Sequence, residues 1–590
     1  MSLTNFTSLT QDMYDKRFGM FVHWGLYSQL GGMWNGEKLP EGMQDGAWNM
    51  LYNQIPLEEY KKAAYDFKPD TDWAQKLVLA AKNAGMKYIV FTTKHHEGFS
   101  MFETSATDYN SVAMCGGRDF VRELSEACKR HGLKLGLYYS HCLDWAEKNG
   151  GGKRVLNQLE PAGDNAKNNN HWDFPEPLTQ EAFTDYLQTK VKTQVKELLT
   201  NYGEIYLIWF DYPHDISPTQ SKELYDYVKS IQPNCMVNSR ISHGVGDYSS
   251  LGDNAIPTTP LGMPAECLAT LNDTWGYISY DDNWKSPEYT TELLARCITG
   301  GTTLLMNVGP MPDGNIPEES LKILSFMGEW IDKYSDAVYG MKSNPLKTKV
   351  TWGHIGCKGN SVYVYISDRT KKEYVLGGLE SKVKKVIAPD STELEFVQTE
   401  DELTFRFEDK YGFLPVIVIE CDKEITPINT ITQCGDSLNL FPLYGKKRCE
   451  NGQYEPLRIE YDIYHPEITK HGLALNRNCI IHAWNDTEEW LEWNATIKQS
   501  GTYNAVLTTA LCDYNGDISV EVLKDGISVA QISAEFKEQH RYNLSKTGSD
   551  NIRIVASIGS VEIPEPGEYE FALKKSSDKD LPVSHLTFEK

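Results

Sequence analysis

To about residue 340, short apolar runs alternate with amphipathic stretches. The runs are FGMFVHWG, KYIVFTTKHH, LKLGLYYS, IYLIWFD, CMVNSR and TTLLMNVG. Between them, residues 71–85, 118–132 and 181–203 place apolar side chains three and four positions apart, and each stretch closes on a glycine suited to a helix C-cap. Strands alternating with helices predict βαβ units around a parallel sheet. Each run also turns polar or aromatic at its carboxyl end: His23 and Trp24, His95 and His96, Tyr138 and Tyr139, Asp211, Asn238 and Arg240, Asn307. In a (β/α)8 barrel all such ends converge on one face, whereas a doubly wound sheet uses a few at one switch point. No G-x-G-x-x-G follows the first run, and the pattern predicts a TIM-type barrel.

From about residue 345 the period changes to two. KVTWGHIGCKGNSVYVYISD and LPVIVIECD alternate apolar and polar residues between turn residues, as antiparallel strands do. A further block follows KEITPINT. The expected organisation is a catalytic (β/α)8-like barrel over 1–342, a β-sandwich over 343–425, and a second sandwich over 426–590 of the kind appended to carbohydrate enzymes. Trp484, Trp490 and Trp493 in that last block read as a buried tryptophan core ahead of a sugar platform.

Composition narrows the partners. The 590-residue chain carries 58 Lys and Arg against 82 Asp and Glu, a formal charge of −24, which repels a phosphate backbone, so no nucleic-acid partner is expected. Its 12 cysteines lack C-x-x-C or zinc-finger spacing, and neither a metal nor a cofactor is expected. No apolar run is long enough for a membrane span, and the oligomeric state stays open. The N-terminal residues lack a basic segment followed by an apolar one; a periplasmic or secreted location is favoured if a signal peptide preceded them.

One residue focuses the chemistry. The run IYLIWFD ends on Asp211 between aromatic residues and a proline turn. A carboxylate there is costly unless paired or used. It is either a salt-bridged or helix-capping residue, or a nucleophile or general base aimed into the barrel mouth.

Longer wording resolves the choice. RFGMFVHWGLYS (17–28), MWNGEK (33–38), KYIVFTTKHHEGFSMFETSATDYNS (87–111), LGLYYSHCLDW (135–145), IWFDYP (208–213), LNDTWGYISYDDNWKS (271–286) and GGTTLLMNVGPMPDGNIPEESL (300–321) resemble, in order, family 29 glycoside hydrolases, the retaining α-L-fucosidases. The resemblance implies an exo-acting enzyme that takes an oligosaccharide or glycan substrate. It puts the nucleophile at Asp211 and sugar-gripping histidines at His23, His95 and His96, with Trp48, Tyr139 and Trp209 expected around the sugar.

Retention requires a second carboxylate about 5 Å from the first. Residues 262–277 resemble the family's P-x-E stretch before the Trp-Gly-Tyr block, and the resemblance implies Glu266 as the acid/base; apolar Met263, Pro264 and Leu268 beside it would keep its carboxyl protonated. Asp253 and Asp273 are the competitors. Two departures stand out: Ala47 before Trp48, where the family commonly carries Glu, and GDNAIPTTP (252–260), where many members read Thr-Pro-Glu. These departures suggest two alternatives to a fucosidase: an α-L-galactosidase of the same family acting on galactosides with or without a 6-substituent, and an inactive glycan-binding protein.

Overall fold

The computed structural model describes residues 6–152, 168–213, 215–256, 260–400, 402–408, 410–449, 454–455, 458–459, 474–475, 480–482, 484, 486–543 and 552–590. Eight strands form one sheet: β1 (Phe18–Val22), β2 (Tyr88–Lys94), β3 (Lys134–Ser140), β4 (Leu207–Asp211), β5 (Met236–Val237), β6 (Ser249–Asp253), β7 (Ala265–Thr270) and β8 (Thr303–Val308). Their order is β5-β4-β3-β2-β1-β8-β7-β6, with parallel ladders from β5 round to β7. A single parallel bridge, Asn238 to Tyr248, joins the β5 side to the β6 side and curls the sheet into a barrel. The six apolar runs all became strands. Strands β6 and β7 were not anticipated: SSLGD is too small and polar, and AECLAT carries an acid at its second position.

The helices follow the three- and four-residue spacing. Phe120–His131 is capped by the Asp119 side chain and closed by Gly132 at φ 76°, and Trp73–Asn83 packs Trp73, Leu77, Val78 and Ala81 inward. The 181–203 stretch is helical over Gln180–Tyr186 and Lys192–Asn201, with a π turn at Leu187–Val191 between them.

Strand β2 carries a bulge. Thr92 pairs with Tyr138 and Lys94 with Tyr139, so Thr93 is an extra residue. An extra residue reverses the inside-outside phase of everything after it. Tyr88 and Val90 belong to the barrel core, but Lys94 turns the other way, onto the Tyr139 ring and Asp144. There Lys94 and Lys190 both engage Asp144 Oδ2, at 2.8 and 2.9 Å, and Lys190 also reaches Glu147.

By internal packing the chain divides into one unit of Met1–Ser250, Met263–Thr291 and Thr303–Lys333, and a second of Leu251–Gly262, Glu292–Thr302 and Tyr334–Lys590. The second contains a sandwich of a four-stranded and a three-stranded antiparallel sheet around Trp352, Tyr374 and Phe405. It also contains a larger all-β core around Trp484, Trp493, Phe571 and Phe588. Trp484 and Trp493 are buried, with indole N–H groups donated to Glu489 O and Phe441 O. Trp490 is partly buried, 5.0 Å from Lys574 Nζ and 5.9 Å from Arg448. Among the described residues no helix is long and apolar enough to cross a membrane.

Asp144 lies fully buried between two ammonium groups, and removing one partner of a buried ion pair costs about 3–5 kcal/mol. Asp144→Asn is therefore expected to lower the urea midpoint of the barrel's unfolding transition, followed by near-UV circular dichroism. An unchanged midpoint would show that the network contributes nothing to the barrel's stability.

Candidate active site

Asp211 is the last residue of β4. Its inward neighbour on the same strand, Trp209, sits in register with Tyr138 of β3. In a parallel pair, residues in register share a face, so Tyr138 points inward and Tyr139 does not. The Tyr138 ring stacks on Trp209 at 5.6 Å and 18°, and its hydroxyl donates to Asp211 Oδ2 at 2.9 Å. The other oxygen, Oδ1, accepts from Arg240 Nη1 at 3.1 Å. Arg240 lies 4.8 Å from the Trp209 ring and donates from Nε to Ser250 Oγ. Asp211 is thus held by two donors, with 13% of its side chain exposed. The next residue, Tyr212, turns the chain out of the strand at φ 55°, a left-handed geometry that is strained for a bulky side chain.

The three histidines gather beside it. The Asn307 amide donates to Trp275 O, so its oxygen is the acceptor for His23 Nδ1 at 2.6 Å. This fixes the His23 proton on Nδ1 and leaves the lone pair on Nε2. Ser140 Oγ likewise donates to Leu143 O and accepts from His96 Nδ1 at 2.7 Å, directing His96 Nε2 towards Asp211 Oδ2 at 3.9 Å. His95 packs against His96 at 4.1 Å and stacks on Tyr138. Burial pushes its imidazole down to about 3, so it is neutral. Trp48 sets its ring edge-on to His96, Trp145 and Tyr212 at 5.1, 5.5 and 5.4 Å, forming an aromatic corner around the carboxylate. Lone-pair imidazoles accept hydroxyl protons, and ring faces take C–H groups, so this environment is built for a neutral polyol.

Three expectations need revision. Tyr139 faces the helices and donates to Gln194 Oε1 at 2.7 Å; Tyr138 holds the inward position. Trp209 is 1% exposed and belongs to the barrel core, where it packs against Tyr138 and Arg240, the two donors to Asp211. Glu266 is the largest change. It stands in register with Thr303 near the amino end of β7, four residues before Thr270, roughly 13 Å along the strand from its carboxyl end. It is fully buried, with Oε1 accepting from Tyr88 and Oε2 from Trp209 Nε1, both at 2.9 Å. Burial does raise its carboxyl to about 7, as anticipated, but in the barrel interior, away from the carboxyl ends of the strands. Asp273 is tied into its own loop, its amide donating to Asp281 and its carboxylate accepting from Asn283. Asp253 is the exposed last residue of β6.

The Ala47 turn is close-packed. Asp45 Oδ1 accepts from both Ala47 N and Gly276 N, and a Cβ on Gly276 would come within 2.7 Å of Ala47 N. Ala47 itself is fully buried. Arg240 and Tyr138 were visible in the sequence as strand-end residues, without a role. The alternation of β3 against β4 is the signal that selects Tyr138.

A barrel whose mouth surrounds one carboxylate with imidazole lone pairs and aromatic rings defines a glycoside hydrolase. The family model described as alpha-L-fucosidase matches residues 2–336, more than half the chain, and the protein belongs to that family. A solved alpha-L-fucosidase from Lactobacillus casei, in complex with alpha-L-fucose product, is 38% identical, with a TM-score of 0.51 over 56% of this chain and 100% of its own. An alpha-L-fucosidase from Vibrio sp. strain EJY3 shares the fold over 100% of this chain and 99% of its own, at 24% identity and a TM-score of 0.77. The alpha-L-fucosidase of Dictyostelium discoideum is 27% identical over 378 residues, 60% of this chain and 76% of its own. A Caenorhabditis elegans relative, 28% identical over 350 residues, is matched over 66% of its length.

The raised Glu266 carboxyl has a consequence for stability. Below pH 4.5, its ordinary value, the group is protonated in both states and contributes nothing. Between 4.5 and about 7 the unfolded chain ionises while the barrel holds the neutral acid, so stability falls as pH rises, by about 3 kcal/mol in all. Glu266→Gln is expected to flatten that fall in the pH profile of the unfolding midpoint. A profile that keeps the wild-type slope would assign the pH dependence to other groups.

Proposed function

We propose that the protein is an exo-acting retaining α-L-fucosidase with Asp211 as nucleophile and Asp253 as acid/base. The observation that carries this reading is the Asp211 carboxylate at a strand end, held by Tyr138 and Arg240 beside His96. The substrate assignment rests on the relatives, among them a Lactobacillus casei enzyme solved with 4-nitrophenyl-α-L-fucopyranoside. Asp253 is preferred over Glu266 because it is exposed and ends a barrel strand, the position from which such folds draw their catalytic groups.

In the first step an Asp211 oxygen attacks the anomeric carbon. The glycosidic C–O bond breaks, and the leaving oxygen takes the Asp253 proton, giving a glycosyl ester. In the second, water gives a proton to the Asp253 carboxylate and attacks the same carbon, releasing the sugar and restoring Asp211. Tyr138 and Arg240 keep the carboxylate oriented in both steps. His23 and His96 accept sugar hydroxyls through Nε2. The inactive-binder alternative loses ground because the nucleophile and its two donors are intact, and the geometry gives the galactoside alternative no specific support.

Asp211→Ala is expected to lower kcat by several orders of magnitude. Asp253→Ala should cripple substrates with poor leaving groups far more than activated aryl fucosides, and added azide should restore turnover as an α-fucosyl azide, formed with net retention by attack on the glycosyl ester. Glu266→Gln should retain turnover within about tenfold on both substrate types. Azide rescue of Glu266→Ala in place of Asp253→Ala would return the proton-transfer role to Glu266.

The Ala47 departure is tested by specificity. A charged hydrogen bond missing from the sugar costs about 1.5–3 kcal/mol, yet Ala47 is fully buried in a turn whose backbone N–H lies close against Gly276. The expected ratio of kcat/KM for aryl α-L-fucoside over aryl α-L-galactoside is well above one, and Ala47→Glu is expected to lower activity on both without reversing it. A ratio below one in the wild type would make the protein an α-L-galactosidase.

A further inference from the structure

Glu97 carries a carboxyl that the double displacement does not use. It follows His95 and His96 in a turn after β2, closed by Gly98 N–H donating to His95 O at 3.1 Å and pinned by Trp145 N–H donating to His96 O at 2.7 Å. The side chain is enclosed, with the residue 1% exposed, and a Cβ on Gly25 would come within 3.1 Å of its Oε1, so the carboxyl fills the space between the turns that follow β1 and β2. Its other oxygen, Oε2, stands 3.6 Å from His95 Nδ1, and both atoms are buried without a hydrogen-bond partner among the described residues. The His95 ring packs against those of His96 and His23, at 4.1 and 5.6 Å, and feels the charge of Asp211, so it belongs to the cluster at the barrel mouth.

Two enclosed polar atoms that face each other without partners are costly unless they bond to one another. Two pairings exist. An ionised Glu97 would accept from Nδ1–H, whereas a neutral carboxylic acid would donate its O–H to the Nδ1 lone pair and leave the imidazole proton on Nε2. Burial decides between them: it pushes the Glu97 carboxyl up to about 8, although its own N–H and Lys94 favour the anion, and it pushes His95 down to about 3. Both groups are uncharged at neutral pH. The other groups facing Glu97 do not compete, because Lys94 is paired with Asp144 at 2.8 Å and burial pushes the hydroxyls of Tyr27, Tyr60 and Tyr109 well above their ordinary range. We propose that Glu97 is a positioning residue for the reaction: its O–H donates to His95 Nδ1 and makes His95 Nε2–H a donor to the sugar, beside the lone pairs of His23 and His96. The inference rests on the fucosidase reading for its ligand. A sugar hydroxyl both donates and accepts, so two acceptor rings and one donor ring satisfy neighbouring hydroxyls more completely than three acceptors. As pH rises through about 8, Glu97 gives up its proton and accepts from Nδ1, and the single imidazole proton moves there from Nε2. The donor becomes an acceptor while the ring stays neutral.

Neutron diffraction from a wild-type crystal exchanged into D2O at neutral pD reads the assignment without substrate. Deuterons are expected on Glu97 Oε2 and on His95 Nε2; a deuteron on His95 Nδ1 beside a bare Glu97 carboxylate overturns the proposal. Calorimetric titration of L-fucose across pH reads its consequence. The wild type is expected to lose about tenfold in affinity as pH rises through about 8, the worth of one hydrogen bond. Glu97→Gln should keep the neutral-pH affinity without that loss, since an amide N–H can donate to Nδ1 at every pH. Glu97→Met should bind about tenfold more weakly throughout, with the loss on an aryl fucoside falling in KM and not in kcat. The same pH-dependent loss in wild type and Glu97→Gln overturns the proposal. Deuterons found as expected in a protein that neither binds fucose nor turns over aryl fucosides would overturn the fucosidase reading and leave the Glu97–His95 pairing standing.

Discussion

The indole of Trp209 is the part on which the catalytic face depends. Tyr138 lies against one side of it, Arg240 approaches within cation–π distance, and its N–H is anchored below by Glu266. Those two neighbours are also the two donors to Asp211. The orientation of the Asp211 carboxylate is therefore set through a buried ring two residues before it on the same strand. Glu266, in turn, joins β2, β4 and β7 through Tyr88 and Trp209. It has the protonation behaviour of a catalytic acid and the placement of a core residue, which shows why a shifted carboxyl has to be located before it is assigned a role.

The second organising constraint is neutrality. His95 is kept uncharged by burial, and the tautomers of His23 and His96 are imposed by Asn307 and Ser140. The orientation of each ring is thus decided by the partner of its Nδ1. A site made this way recognises hydroxyl geometry with fixed acceptors. It needs no rearrangement of charge when a neutral ligand arrives.

Much of this was legible in the chain. The six apolar runs and their polar ends carried the barrel and placed Asp211, His23, His95 and His96 at its mouth. What failed did so for local reasons. Glu266 interrupts the apolar pattern of AECLAT, so the residue types do not mark it as a strand, and the P-x-E resemblance alone cannot show that its acid faces the core. Tyr139 was chosen over Tyr138 because two adjacent tyrosines cannot be phased without the register against β4. The bulge at Thr93, which sends Lys94 to the helix layer, leaves no mark in the residue types. In the last block, two of the three tryptophans followed the bland expectation of a packed core.

The seam of the barrel has an evolutionary meaning. Along most of the ring, neighbouring strands share ladders of several residues, and changing the length of a connection there disturbs many hydrogen bonds together. Between β5 and β6 the ladder shortens to the Asn238–Tyr248 bridge, with Asp247 N–H donating to Val237 O and with Ser239 and Arg240 bonded to Ser250 beside it. A backbone hydrogen bond is worth about 0.5–1.5 kcal/mol net, so insertions and substitutions just after this point cost the fold least. The chain that follows runs through β6 to Asp253 and into wording that departs from the family's common Thr-Pro-Glu, so sequence divergence begins where the ladder is shortest.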